Sequence, residues 1–277
     1  MLTVLTIDDK THKGKWGRLL SPVLSDSVRV QSVKTPLGIR HINYINRREK
    51  VNWKRIKRKL GNTGEKVLYS GSIDVPENAG IELFKPLELR KRLCTNMALA
   101  VLDVMKSVPK KLRIGLYDPE GECADFTEHI LKFTDNLIVV SRNYRVYREQ
   151  AQFLLSETGA VLCVSPHISL LSTCGLIISP TLISTPFTPA TNSVVLSICK
   201  PSVPLPCRVY YRYSFPLEKE LQDIKPQGID TETFAGGLYS ICGVYSVGSL
   251  VPLVCMGDGD THTTLSLRRY LTELFGT

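Results

Sequence analysis

Three groups of residues in this chain have types and spacing suited to chemistry. The first is the turn Asp118-Pro119-Glu120-Gly121-Glu122, which follows the apolar run LRIGLY. A turn from a buried strand into a helix gathers backbone N–H groups that can hold an anion. Only Gly121 would let a ligand approach the backbone closely here. Pro119 removes a donor, and the carboxylates repel a phosphate. The second group is Ser141, Arg142, Asn143 and Arg145, after the run LIVV. A guanidinium at that position offers paired donors for a phosphate, whereas an acid would accept from a ribose hydroxyl. The same arginines read equally as surface charge at a helix start, because Arg145 stands four residues before Glu149. The third group is Ser165 and His167, at the end of the run VLCVS. In a parallel sheet that edge is where ligands sit, and a histidine there would serve as an acid or base. The sequence places no carboxylate beside His167, so no residue is given a catalytic role.

Other clusters carry different chemistry. Arg47, Arg48, Lys50, Lys54, Arg55, Lys57, Arg58 and Lys59 surround Trp53, with Tyr44 nearby. Cations interleaved with an aromatic are the footprint of nucleic-acid binding, in which Trp53 would stack on a base. The alternative is a solvated helix face, with Trp53 and Ile56 turned to the core. Asp258, Asp260 and His262 carry ligand atoms, but their spacing fits neither an EF-hand nor a zinc motif, and turn chemistry accounts for them. None of the 8 cysteines forms a C-x-x-C pair. The expectation is therefore a reduced, cytoplasmic protein with no metal and no disulfide framework.

These residues need elements to hold them. Strands are expected at TVLTID, SVRVQSV, IRHINYI and KVLYSGSI, with a short basic helix, VNWKRIKRKL, before the last. Pro86 opens a long helix, LELRKRLCTNMALAVLDVMKSV. Strands at 112–117, 136–141, 160–165, 175–179 and 193–199 follow, with helices at 122–133 and 144–158. Strand–helix alternation at this pitch is the mark of a parallel sheet. Residues 158–199 hold no Asp, Glu, Lys or Arg, as expected of strands buried on both faces. Charge is unevenly placed: residues 1–60 hold 15 Lys and Arg against 4 Asp and Glu. The run Tyr239 to Gly257 is uncharged, but Gly243, Gly248 and Pro252 interrupt it and acids flank it. A helix, a turn and a buried strand are expected there, and no membrane partner.

The stretch VVSRNYRVYREQAQFLLSETGA resembles the NADP-binding domain of shikimate dehydrogenases and glutamyl-tRNA reductases, where the second strand ends in an Asn-Arg-Thr-like motif before a helix. Ser141, Arg142, Asn143 and Arg145 stand in the matching turn. The resemblance implies an α/β fold: a Rossmann-like parallel sheet domain at 109–200, preceded by a smaller basic α/β segment at 1–84 and a connecting helix at 85–108. Residues 201–277 would complete or pack on the sheet. It implies NADP as the cofactor, held by Asp118, Gly121, Ser141, Arg142, Asn143, Arg145 and Ser165, with His167 toward the substrate and hydride transfer as the reaction class. The family's Gly-rich first turn is degenerate here, which points to a diverged or inactive reductase. Two other classes stand beside this one. A polyanion- or nucleic-acid-binding module would use Arg47, Arg48, Trp53, Lys54, Arg55, Arg58 and Lys59, and a structural or interaction protein would carry a decayed ligand site.

Overall fold

A computed structural model describes residues 2–10, 25–33, 38–47, 50–61, 66–159, 162–242 and 250–276. Arg48 of the basic cluster and residues 243–249 of the uncharged run lie outside the described residues. The chain divides into two compact units, residues 1–89 with 217–244 and residues 90–216 with 245–277. Residues 217–244 therefore group with the N-terminal segment, while 201–216 group with the sheet that precedes them.

The first unit holds a three-stranded sheet in the order β1-β3-β2, made of β1 (Leu2–Asp9), β2 (Ser27–Val33) and β3 (Ile39–Asn46). β1 runs parallel to β3, and β2 runs antiparallel to it. Helix α1 (Trp53–Leu60) lays Ile56 and Leu60, four residues apart, into a core with Leu5, Ile42, Tyr44 and Val67. Asn52 caps α1, its side chain accepting from the Arg55 N–H at 3.0 Å. At the other end the Arg40 guanidinium donates to the Lys59 and Leu60 carbonyls at 2.6 and 3.2 Å. Helices α5 (Lys219–Ile224) and α6 (Thr231–Cys242) complete the unit. The strand expected at 66–73 does not form. Only single bridges occur, Leu68 to Val4 and Val67 to Leu83. The chain then folds back, with the Tyr69 hydroxyl donating to the Ile73 carbonyl at 2.7 Å. A Cβ on Gly71 would lie 2.5 Å from that hydroxyl oxygen, so any larger residue there would have to displace the Tyr69 ring.

The second unit contains most of α2 (Leu87–Met105), from Arg90 onward. There follow β4 (Ile114–Tyr117), α3 (Phe126–Leu131), β5 (Leu137–Val140), α4 (Tyr144–Thr158) and β6 (Cys163–Ser165). A 3-10 turn at Ile168–Thr173 leads to β7 (Leu176–Ser179), β8 (Val194–Ser197) and β9 (Arg208–Ser214). β10 (Val254–Gly257), β11 (Thr261–Thr263) and α7 (Thr264–Phe275) end the chain. The sheet has eight strands in the order β11-β10-β9-β8-β7-β4-β5-β6. From β9 to β6 every neighbouring pair is parallel, and β10 and β11 add antiparallel strands at one edge. β4, β7 and β8 are buried at every residue, as their uncharged sequences require. The unit is thus a mixed α/β layer built on a mostly parallel sheet.

The order of strands determines where a ligand has room. From β4 the chain moves one way, to β5 and β6, then returns to place β7 on the other side of β4. The connections leave the carboxyl ends of β4 and β7 in opposite directions, which opens a crevice between them.

Candidate ligand cleft

A cleft of about 470 Å³ lies at that crevice. Tyr117 and Pro119 line it from the end of β4, Ser141 and Arg142 from β5, and Pro166 and Ile168 from beyond β6. Thr181, Leu182, Ser184 and Thr185 close it from the loop after β7. The volume is that of a small-molecule site, and the lining mixes apolar surface with hydroxyls. The charged lining residues among those described are Arg142 and Glu120, and they pair with each other.

The turn after β4 is closed on itself. Asp118 is fully buried. Its carboxylate accepts from the Glu122 N–H at 3.2 Å, the Cys123 N–H at 2.8 Å and the Tyr147 hydroxyl at 2.7 Å. The Gly121 N–H donates to the Asp118 carbonyl at 3.2 Å. The donors that would cradle a phosphate at this turn are therefore already held by the chain's own carboxylate. Burial and the adjacent Asp118 push the Tyr147 phenol well above its ordinary value, so Tyr147 stays a proton donor to that carboxylate. Gly121 has φ 78°, and a Cβ on it would lie 3.0 Å from the Asn143 Cβ. Asn143 in turn donates from Nδ2 to the Glu120 carbonyl at 3.0 Å, tying the β4 and β5 turns together.

The other residues singled out from sequence are distributed as follows. Ser141 is fully buried, its Oγ accepting from the Asn143 N–H at 3.1 Å. Arg142 lines the cleft with its side chain 71% exposed. Arg145 lies outside the lining and pairs with Glu149 at 3.6 Å on the solvated face of α4. The Ser165 Oγ accepts from the His167 N–H at 3.2 Å, and the exposed His167 side chain is not part of the lining. The structure thus gathers Ser141 and Arg142 into one cleft, places Asp118, Gly121 and Asn143 in the hydrogen-bonded turns beside the lining, and leaves Arg145, Ser165 and His167 outside it. Sequence reasoning missed Tyr147, Thr181 and Ser184. A Ser- and Thr-rich segment directly after a buried strand, TLISTPFT, was the available signal for the last two.

The side chains of the remaining clusters are placed as follows. Asp258 pairs with Lys200 and accepts from the Tyr211 hydroxyl, and Asp260 pairs with Arg208 at 3.5 Å. Among the described residues no group of three or more His, Cys, Asp or Glu side chains is arranged to hold a metal. Burial pushes the thiols of Cys94, Cys123 and Cys255 up to about 12, and those of Cys174 and Cys207 up to about 11. Such thiols are protonated and unreactive near neutrality. Trp53 is half-buried and packs on the core beside Ile56. No helix among the described residues is long and apolar enough to cross a membrane.

The fold and site define an α/β protein with a ligand-sized cleft at the switch point of a mostly parallel sheet. No protein-family model, curated protein or solved structure matches the chain.

Proposed function

We propose that this protein is a Rossmann-like binding protein that takes a nucleoside-sized, uncharged ligand in the switch-point cleft. The parallel strands run β6-β5-β4-β7-β8-β9, which is the 3-2-1-4-5-6 order of the dinucleotide-binding fold. In that fold the ends of the first three strands meet the adenosine half of a dinucleotide, and Pro119, Arg142 and Pro166 occupy those ends here. The observation that carries the proposal is the pairing of an open cleft with a closed phosphate turn. Asp118 holds the Glu122 and Cys123 N–H groups, so a pyrophosphate would have to displace a buried, three-fold hydrogen-bonded carboxylate. The ligand therefore lacks a phosphate at this turn, and the chain is a diverged relative of the NADP-dependent group rather than a working reductase.

NADP is retained as a second reading because Arg142 lines the cleft where a 2′-phosphate would lie. One titration separates the two. Thermal unfolding is followed at low salt with adenosine, guanosine, 2′,5′-ADP and NADPH. A ligand present at a hundred times its dissociation constant adds about 2.7 kcal/mol. The expected result is a shift with a nucleoside, absent in a Ser184→Phe variant that fills the cleft. A shift with NADPH and 2′,5′-ADP, lost in Arg142→Ala, would replace the closed-turn reading by the NADP one. No shift with any of the four would overturn both.

A further inference from the structure

We propose that the open face of α1 binds the phosphate backbone of double-stranded DNA, independently of the cleft. α1 has the sequence WKRIKRKL, and Lys54, Arg55, Lys57, Arg58 and Lys59 are all exposed. At about 100° per residue, Lys54, Arg55, Arg58 and Lys59 share one broad face. Ile56 and Leu60 lie opposite, in the core, with Trp53 beside them. None of these five cations pairs with a carboxylate among the described residues, and no acid interrupts the helix. The side bearing Lys57 meets the turn Glu77–Ala79, and the four remaining cations are left exposed by the described residues. Arg47 and Lys50, both exposed, extend the positive charge ahead of the helix.

Exposed cations held side by side on a capped helix gain when a polyanion neutralises them and releases its counterions. Four like charges on one turn and a half repel each other. The partner is chosen by what the face lacks. Among the described residues it has no fully exposed aromatic for stacking single-stranded bases, because Trp53 is half-buried against the core. It has no apolar side left to enter a lipid interface, because Ile56 and Leu60 are buried in the protein. Arginine forks engage phosphates bidentately, and a duplex backbone offers phosphates at regular spacing to a row of cations. A helix with its side chains is about 10–12 Å across, which the major groove of B-form DNA, about 12 Å wide, admits, whereas the deep, narrow major groove of an RNA duplex does not.

The test uses the full chain and a 20-base-pair duplex of arbitrary sequence, read by fluorescence anisotropy from 50 to 200 mM salt. Four phosphate contacts predict a log–log salt slope of about −3.6 and roughly a hundred-fold weakening over that range. The variant Lys54→Gln/Arg55→Gln/Arg58→Gln/Lys59→Gln is expected to abolish most of the binding while keeping the circular dichroism of the wild type, since all four side chains are exposed. A control removing the same charge elsewhere, Lys106→Gln/Lys110→Gln/Lys111→Gln/Arg145→Gln, is expected to retain it. Equal losses in the two variants would overturn the assignment to α1, leaving only the diffuse charge of the molecule. Tighter binding to phosphatidylserine vesicles, or to an RNA duplex, than to the DNA duplex would overturn the choice of partner. Because the four cations lie far in sequence from the cleft residues, a failed nucleoside titration leaves this outcome unaffected.

Discussion

At the scale of residues, the decisive group is Asp118. A carboxylate in a turn that would otherwise hold phosphate is costly unless donors meet it, and three do. Tyr147 supplies one of them from α4, so a buried side-chain hydrogen bond ties the β4 turn to the helix that follows β5. Tyr147→Phe removes that donor and leaves a buried carboxylate oxygen short of a partner, at a cost of about 1–3 kcal/mol. Asp118→Ala also frees the Glu122 and Cys123 N–H groups and is expected to cost about as much or more. Urea unfolding of both single variants and the double variant measures the coupling. The double variant is expected to lose clearly less than the sum of the two, since its losses share one network. Simple additivity would show that Tyr147 and Asp118 act separately and that the turn is not closed in the way described.

At the scale of elements, α7 is the clearest case of local sequence specifying local structure. The Thr263 Oγ1 accepts from the Ser266 N–H at 3.2 Å, and the Ser266 Oγ accepts from the Thr263 N–H at 2.9 Å, a reciprocal capping box at the helix start. Thr263→Ala is expected to cost about 1 kcal/mol in a thermal or urea melt, and Thr263→Ser nearly nothing. An unchanged midpoint for the alanine variant would mean that the cap is dispensable. Most elements were legible in the same local way. The uncharged runs LIIS and VVLS are buried strands, and the basic helix turns Ile56 into the core with Trp53 half-buried beside it, as read from their spacing, while Leu60 joins them without having been singled out. What was not legible depended on partners remote in sequence. The run at 66–73 has strand-like residues, but it meets its neighbours only at Val67 and Leu68 before the chain turns back at Gly71. The antiparallel edge formed by β11 exists because His262 and its neighbours pair with β10, which a three-residue strand does not announce. The cleft was legible as an edge of the sheet. The acids at 118–122 were read as repelling a ligand, whereas Asp118 turns inward and takes the donors itself, through a tyrosine 29 residues away.

At the scale of the whole molecule, each compact unit holds, among the described residues, one histidine whose burial favours the neutral ring, so acid should weaken both. His41 in the first unit bonds the Thr6 hydroxyl at 2.8 Å, and burial lowers its pKa below 6.5, with Asp8 opposing. His262 in the second unit is lowered below 6.5 by burial and then by Arg208, with Asp260 opposing. The Ser266 hydroxyl lies 3.1 Å from its Nδ1. A histidine whose folded pKa is depressed binds its proton more readily when unfolded. Its contribution to stability is complete above the unfolded value of 6.5 and is lost as pH falls from there through the folded value. Urea midpoints are therefore expected to fall between pH 7.5 and pH 5. That window lies above the ordinary range of Asp and Glu, so carboxylate protonation contributes little to the change. His41→Gln and His262→Gln keep a polar side chain that does not titrate, and the double variant should show a flatter profile than the wild type over the same window. A wild-type profile already flat from pH 7.5 to 5, or a decline of the same size in the double variant, would show that these two rings do not set the acid sensitivity of the fold.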